Sequence, residues 1–575
     1  MGVSGLFRNI VTKYPNSHFW STNLKIDYLF LDFNCLIYKY VAELLSSKVW
    51  DFSKQSTNAK FEEELVSYII KKTSILVNET VKPRLLVYIA IDGVPPVAKM
   101  NQQKERRYKK ILINELIKKY LPGTQQNKWD TNLISPGTNF MKSLCDEFEK
   151  QIKDGLFKKI NVIFSGSSVP GEAEHKFLPF LDRLEDSLNI KYCIYSQDAD
   201  QIVLAFRFPH KHIYIMRPVD MTLRNKYPNT QEDIYLDIKK VTGSLSSLFD
   251  NKIKNSQINQ ANDFNFMYDV IFLTFLEGND FVKPIYFLKY KDDYLRTLLG
   301  IYRYQREHVN NNWRLLNKKD GLFQINFDFF LNIFERLSFI EQRKIEEKRD
   351  KVKKKISFSR SEELTIDNLE HLYFYQKGNP YYTQYMKDWN KLNDSKNHDE
   401  WKKNYYNYFF GKDYNLDEIC LEYLKVLVFN IRYYFGEEIY WQFQYDAFAA
   451  PMPSDVFAYL QKNPNIFDKI KIPKSKPIHP LCQLAFILPS QSLKKGLIPI
   501  QFSKLYLKEL SEYFPKDFDL KLLTGDKIAY AEPDIKYPKI NELVDIYNQT
   551  KNKFTKEQKE RDIIKSKPLI ILAFK

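Results

Sequence analysis

The chain has 575 residues with 44% hydrophobic and 27% charged content, which excludes a disordered polymer and allows more than one domain around large cores. Lys plus Arg number 87 against 71 Asp plus Glu, and the net charge of +16 suits a polyanionic partner, nucleic acid first; a chain this rich in Lys, Asn, Ile and Tyr also reaches such a charge through coding bias, so charge alone does not decide. No run approaches the ~18 apolar residues of a membrane span, so no membrane partner is expected, and the five scattered cysteines, without a C-x-x-C, form neither a zinc site nor a disulfide framework and fit a reducing interior.

The opening MGVSGLFRNIVTKYP lacks the long apolar core of a signal peptide, and Leu6 stands where a myristoylation signal needs Ser or Thr. A soluble cytoplasmic protein is expected. Lys clusters near 351–355 and 470–476 leave a nuclear form open and read better as solvated faces. Five short apolar runs, rich in β-branched and aromatic residues, predict buried strands: Tyr28–Phe33, Leu85–Ile91, Asn161–Ser165, Lys191–Tyr195 and Val270–Leu276. Helical patterns at Phe61–Val77, Lys99–Tyr120, Asn139–Ile152 and Glu172–Leu184 lie between them. This alternation predicts an α/β fold with a mostly parallel sheet, whose working site lies outside the carboxyl ends of the strands. Past residue 285 the texture turns long, aromatic and helical, so residues 1–285 read as one domain and 286–575 as a helical and mixed second region. There the charge run Gln342–Lys355 reads as a solvated helix or arm, residues 374–403 as loop with short helices, and the segment from about 480 as short apolar runs and turns.

Seven acids stand at or just beyond the ends of strand-like runs or in the turns that follow: Asp32, Asp92, Glu172, Glu174, Asp198, Asp200 and Asp280. Carboxylates gathered without matching cations repel one another, and hard divalent metals are the usual remedy. Any one D-x-D or E-x-E is weak, but five separate sites agreeing point to a metal cluster able to cut a phosphodiester. After Asp92, Lys99, Gln103, Arg106 and Arg107 recur at i, i+4, i+7 and i+8, one face of a helix suited to gripping a terminal phosphate. His175, beside the Glu172/Glu174 pair, reads as a residue supporting those carboxylates rather than as a ligand.

The segments MGVSGLFRNIVTKYP, YLFLDFNCLIY, IAIDGVPPVAKMNQQKERR, ISPGTNFM, VIFSGSSVPGEAEHKF, YCIYSQDADQIVLA and FLEGNDF resemble, in order and spacing, the Xrn-type 5′→3′ exoribonuclease family. The likeness runs on through LCQLAFILPS and EYFPKDFDL. The resemblance implies a PIN-like, flap-nuclease-like core braced by a second conserved region, in a compact member without the large C-terminal extension, acting as a monomer. It implies a processive hydrolase degrading 5′-monophosphorylated single-stranded RNA to nucleoside 5′-monophosphates. The seven acids would hold two Mg²⁺, with Mn²⁺ as an alternative, and Lys99, Gln103, Arg106 and Arg107 would form the 5′-phosphate pocket. Asn34 matches a family residue near the bound nucleotide. Tyr38 stands where the family has a base-stacking His, and Trp441 in EIYWQFQYDAFAAP is the candidate for the opposing ring. Val282, Lys283 and Pro284 replace the family's L-P-H. The rival readings are a 5′ flap endonuclease on DNA, disfavoured because FVKPIYFLKYKDDYL after Asp280 holds no helix-hairpin-helix, and a non-catalytic RNA-binding scaffold, disfavoured because no acidic ligand is missing.

Overall fold

A computed structural model describes residues 6–573 except 21–23, 122–128, 158, 188, 220–232, 251–264, 289–293, 310–313, 358–379, 437–438 and 525–530. The N-terminal half forms the strands β1 (His18–Phe19), β2 (Tyr28–Asp32), β3 (Leu86–Ala90), β4 (Asn161–Ser165), β5 (Lys191–Tyr195), β6 (His212–Pro218) and β7 (Asp233–Asp237). A hairpin, β8 (Leu316–Lys319) and β9 (Leu322–Ile325), and a small pair, β10 (Leu520–Lys521) and β11 (Glu532–Pro533), follow in the second half. The last strand, β12 (Leu569–Ile571), returns to the N-terminal sheet.

That sheet has eight strands in the order β1-β7-β6-β5-β2-β3-β4-β12. The five central strands are parallel, and antiparallel strands close both edges. The chain steps from β2 outward through β3 to β4 and then returns to β5 on the other side of β2. The order therefore reverses between β2 and β5, and the carboxyl ends there open a crevice. The central strands bury nearly every residue on both faces, which is why they read as continuous apolar runs rather than alternating ones.

The expected strand at Val270–Leu276 is instead part of the helix Asn265–Phe275. Phe266, Met267, Val270, Ile271, Phe272, Leu273, Phe275 and Leu276 are all buried, and a helix covered on every side shows no polar face by which periodicity could distinguish it from a buried strand. The expected helix over Glu172–Leu184 is two short ones, Ala173–Lys176 and Leu178–Arg183, with Pro179 opening the second. The stretch read as loop with short helices is, from Pro380 on, two full helices, Pro380–Asn393 and His398–Phe410, while 374–379 lies outside the described residues. The final segment holds the helices Pro480–Ile487, Ile500–Glu509 and Ile540–Thr550 where short runs and turns were expected. Among the described residues no helix is long and apolar enough to cross a membrane.

The helix Val97–Tyr120 joins the two halves. It buries Lys99, Asn101, Gln102, Lys104, Glu105 and Lys109, which a helix tolerates only where partners satisfy those groups. The second half supplies several of them, and residues 478–554 form a core that also takes in Val94, Val97 and Met100. Asn101 donates to the Tyr445 carbonyl at 3.1 Å, and Tyr537 donates to Glu105 at 2.6 Å.

A candidate carboxylate metal centre beside a basic helix

Six of the seven acids lie at the carboxyl ends of the parallel strands or in the turns that leave them. Asp32 ends β2, where its Oδ2 accepts from Ser196 Oγ at 2.8 Å. Asp92 follows β3. Its amide donates to Asn34 Oδ1 at 2.9 Å, and its Oδ1 accepts from the Ala173 amide at 2.8 Å, so Asp92 caps the short helix that carries Glu174. Asp198 Oδ1 accepts from the Asp200 amide at 3.1 Å, which fixes the turn after β5. Asp280 comes from elsewhere. It follows the buried helix Asn265–Phe275 through Gly278, whose φ of +97° and close approach to Pro284 leave no room for a side chain.

All seven acids thus converge, and among the described residues Lys99 is ion-paired within them. Lys99 Nζ stands 2.5 Å from both Glu172 Oε1 and Asp280 Oδ2. This departs from its expected place in the phosphate pocket: it lies one turn before Gln103, and the carboxylates draw the nearest ammonium inward. Gln102, which the one-face pattern passed over, donates to Asp280 Oδ1 at 2.5 Å. Burial and then the neighbouring carboxylate of Asp92 push Asp32 up to about 8; burial and then Asp198 and Asp280 do the same to Asp200. Burial raises Glu174 far above the carboxylate range, with Glu172 adding to it. Burial also works against the charge on Asp280, but the Lys99 ammonium overrides it and holds the carboxyl low. This excess of buried carboxylate oxygens over cations fits a hard divalent metal.

The second half reaches into the cluster through two adjacent tyrosines that sequence reading missed, at the end of the helix Leu416–Tyr434. Tyr433 donates to Glu172 Oε2 at 2.5 Å, and Tyr434 is hydrogen-bonded to Asp200. The His175 ring lies 3.9 Å from the Tyr433 ring between centroids. Burial, then the charge on Lys99, drives its pKa well down, so the imidazole is neutral. Ligand atoms of Glu172, Glu174 and His175 lie within 4.8 Å of one another, close enough to share an ion.

Beyond Lys99 the helix presents Gln103, Arg106 and Arg107. Arg107 donates to Ser135 Oγ at 2.8 Å and to the Gln103 carbonyl at 3.1 Å, while its Nε is buried with no acceptor. Gln103 Oε1 is held by Gln483 Nε2 at 3.1 Å, a partner from the second half. Burial lowers the Arg107 guanidinium to about 10, the response of a cation short of counter-charge. Arg106 is exposed and lends positive charge to Asp92 and Asp280. Tyr38 lies on the helix Phe33–Ser47, 47% exposed, and its hydroxyl is close enough to interact with Arg107. Trp441 accepts from the Val97 amide through its carbonyl at 2.8 Å, and its ring edge faces Gly171 in the turn before Glu172. Lys283, in place of the family's pattern after Asp280, turns away to Glu532 at 2.8 Å.

The domain family described as XRN 5'-3' exonuclease N-terminus matches residues 1–219, and the one described as Xrn1 helical domain matches residues 377–575. This chain belongs to the Xrn 5′→3′ exonuclease family. The Xrn N-terminal match covers six of the sheet's eight strands, β1 to β6, and all the acids but Asp280, and the helical-domain match covers β12, Tyr433, Tyr434, Trp441 and Gln483. Among Xrn relatives, 5'-3' exoribonuclease 1 of Saccharomyces cerevisiae is 28% identical over 363 residues, 59% of this chain and 23% of that protein. The human 5'-3' exoribonuclease 1 is 25% identical over 621 aligned residues, 98% of this chain and 35% of that protein. The 5'-3' exoribonuclease 2 of Candida albicans is 27% identical over 376 residues, 53% of this chain and 36% of that protein. The chain spans roughly a quarter to a third of the length of the curated relatives it matches.

Proposed function

We propose that this chain is a processive, metal-dependent 5′→3′ exoribonuclease acting on single-stranded RNA with a 5′-monophosphate. The observation that carries this reading is the buried, acceptor-less Nε of Arg107 on the same helix that sends Lys99 into the carboxylate cluster. A donor waiting for an anion beside a metal-binding floor suits a substrate that presents its phosphate at the chain end. Gln103, Arg106 and Arg107 receive that phosphate. Tyr38, next to Arg107, stacks on the first base, and Trp441 is proposed as the wall across from it.

Two Mg²⁺ ions, or Mn²⁺, held by the seven carboxylates would supply an activated water and charge stabilisation for the departing 3′ oxygen. The chain's own residues set the geometry for that chemistry. Ser196, Asn34, Tyr433, Tyr434 and Gln102 fix the carboxylates or the backbone that bears them. Release of a nucleoside 5′-monophosphate leaves a new 5′-phosphate on the shortened strand, ready for the same grip. The five cysteines are free, in keeping with a proposed cytoplasmic role.

End-labelled RNAs bearing 5′-monophosphate, 5′-triphosphate or 5′-hydroxyl test the assignment. Rapid digestion of the first alone, with divalent metal required, is the expected result. Equal digestion of all three rejects the phosphate pocket, and cleavage confined to a DNA flap redirects the function to an endonuclease.

A further inference from the structure

Against the positive charge of the chain as a whole, one groove in the second half is acidic. It has a volume of about 440 Å³ and lies between the end of the helix His398–Phe410, the start of the helix Leu416–Tyr434 and residues 444–447. That volume falls in the range of roughly 300–1,000 Å³ typical of ligand sites. Its charged lining is Asp413, Glu418, Glu422 and Asp446, with no Lys or Arg among the lining residues. Glu422 is ion-paired with Lys425 at 2.6 Å. Asp446 accepts from Asn101 Nδ2 at 2.9 Å and feels the charge of Lys283. Asp413 and Glu418 are exposed and make no ion pair among the described residues. Glu418 suits the amide end of its helix, which Asn415 caps at 3.1 and 3.3 Å. Glu422, a turn further along, and Asp446, from a separate segment, have no such local reason to be there.

Much of the remaining lining is aromatic. The half-buried Tyr414 stacks its ring on Tyr406 at 5.1 Å, and Phe410 packs on the same Tyr406 at 5.7 Å. Tyr445 also lines the groove. It is 8% exposed, its hydroxyl is buried with no hydrogen-bond partner among the described residues, and Glu422 lies close enough to interact with it. The neighbouring Tyr423 hydroxyl, fully buried, is in the same condition. Buried hydroxyls are nearly always bonded, so two adjacent ones without a partner point to a donor from outside.

We propose that this groove binds an arginine side chain within a basic peptide segment of a protein partner. A guanidinium is planar, so it lies against the rings of Tyr414 and Phe410, and its several N–H donors serve carboxylates and the Tyr445 phenol together. A lysine ammonium brings the charge without the plane. A segment fits better than a lone cation, because Asp413 and Glu418 stand at the exposed rim for basic neighbours on either side of the anchoring arginine. The same carboxylates repel a phosphate backbone, so this surface serves a protein rather than RNA.

Fluorescence anisotropy of a short labelled peptide of alternating Arg and Gly, titrated with the full chain, tests the site without RNA or turnover, so it stands or falls independently of the nuclease reading. Asp413→Lys and Glu418→Lys, both at exposed positions, are each expected to weaken binding roughly ten-fold or more with the unfolding midpoint unchanged. Tyr445→Phe, which removes only the unpartnered hydroxyl, should weaken binding about three-fold without lowering the unfolding midpoint. A peptide of alternating Lys and Gly, equal in charge, should bind more weakly than the arginine peptide. An affinity unmoved by both charge reversals, or a lysine peptide bound as tightly, overturns the assignment.

Discussion

Two buried ionic clusters share the helix Val97–Tyr120, and they differ in the balance of charge. In one, among the described residues, the carboxylates of Glu105 and Glu532 face the ammoniums of Lys283 and Lys109. Tyr537 adds a hydrogen bond to Glu105, and the group ties the helix to β11. In the other, seven carboxylates gather, and among the described residues Lys99 is ion-paired with two of them. A balanced buried cluster is complete as it stands, and removing one member leaves an unpaired charge. An unbalanced cluster is complete only with a cation from outside. The same helix therefore carries a structural clamp and a candidate metal site, and the balance of charge distinguishes them.

Asp200→Ala separates the two clusters most sharply. Cleavage of 5′-monophosphorylated RNA should be abolished while RNA binding persists. The chelated protein should unfold at a higher temperature than wild type, because a repelling carboxylate is gone; retained cleavage rejects the metal assignment. Glu532→Gln is the converse. Breaking the balanced cluster should cost about 3–5 kcal/mol of stability, read from denaturant unfolding, with digestion by the remaining folded protein little changed. Arg107→Gln should erase the preference for a 5′-monophosphate over a 5′-hydroxyl by roughly ten- to a hundred-fold, the loss of one charge-assisted contact. Tyr433→Phe should reduce activity by about ten-fold at limiting metal, and excess metal should restore it, since the phenol holds Glu172 rather than the substrate.

A further expected effect is one of pH. Asp32 and Asp200 sit near 8 in the folded, metal-free chain against 3.8 when unfolded. Between those values the folded state holds protons that the unfolded state has released, so stability falls as pH rises from about 4 to about 8. Added Mg²⁺ should cancel that fall, because the ion stabilises the ionised carboxylates. Thermal unfolding at pH 5 and pH 8, with and without metal, checks both signs.

Four central strands were legible within a residue or two, because a parallel strand buried on both faces leaves an unbroken apolar run bounded by a turn. The same property hid the helix Asn265–Phe275, whose all-round burial erased its period. The edge strands β1 and β12 are two and three residues long, too short to form a pattern. The acids were visible as a group, because each follows a buried run into a turn. Tyr433 and Tyr434 were not, since nothing local sets them apart from the many other tyrosines of the chain.

By itself the sequence determined the chemistry: which groups ionise, how many carboxylates outnumber their cations, and which helix carries the basic face. Those properties are additive along the chain and need no coordinates. Only the tertiary structure decided the partners. It drew Lys99 into the carboxylates, left Arg107 Nε without an acceptor, and brought Tyr433, Tyr434 and Gln483 across from the second half. The physical reason is distance: hydrogen bonds and buried ion pairs act over a few ångströms. Such separations between residues hundreds of positions apart are fixed by the order of the sheet and by the packing of the helix Val97–Tyr120 against both halves.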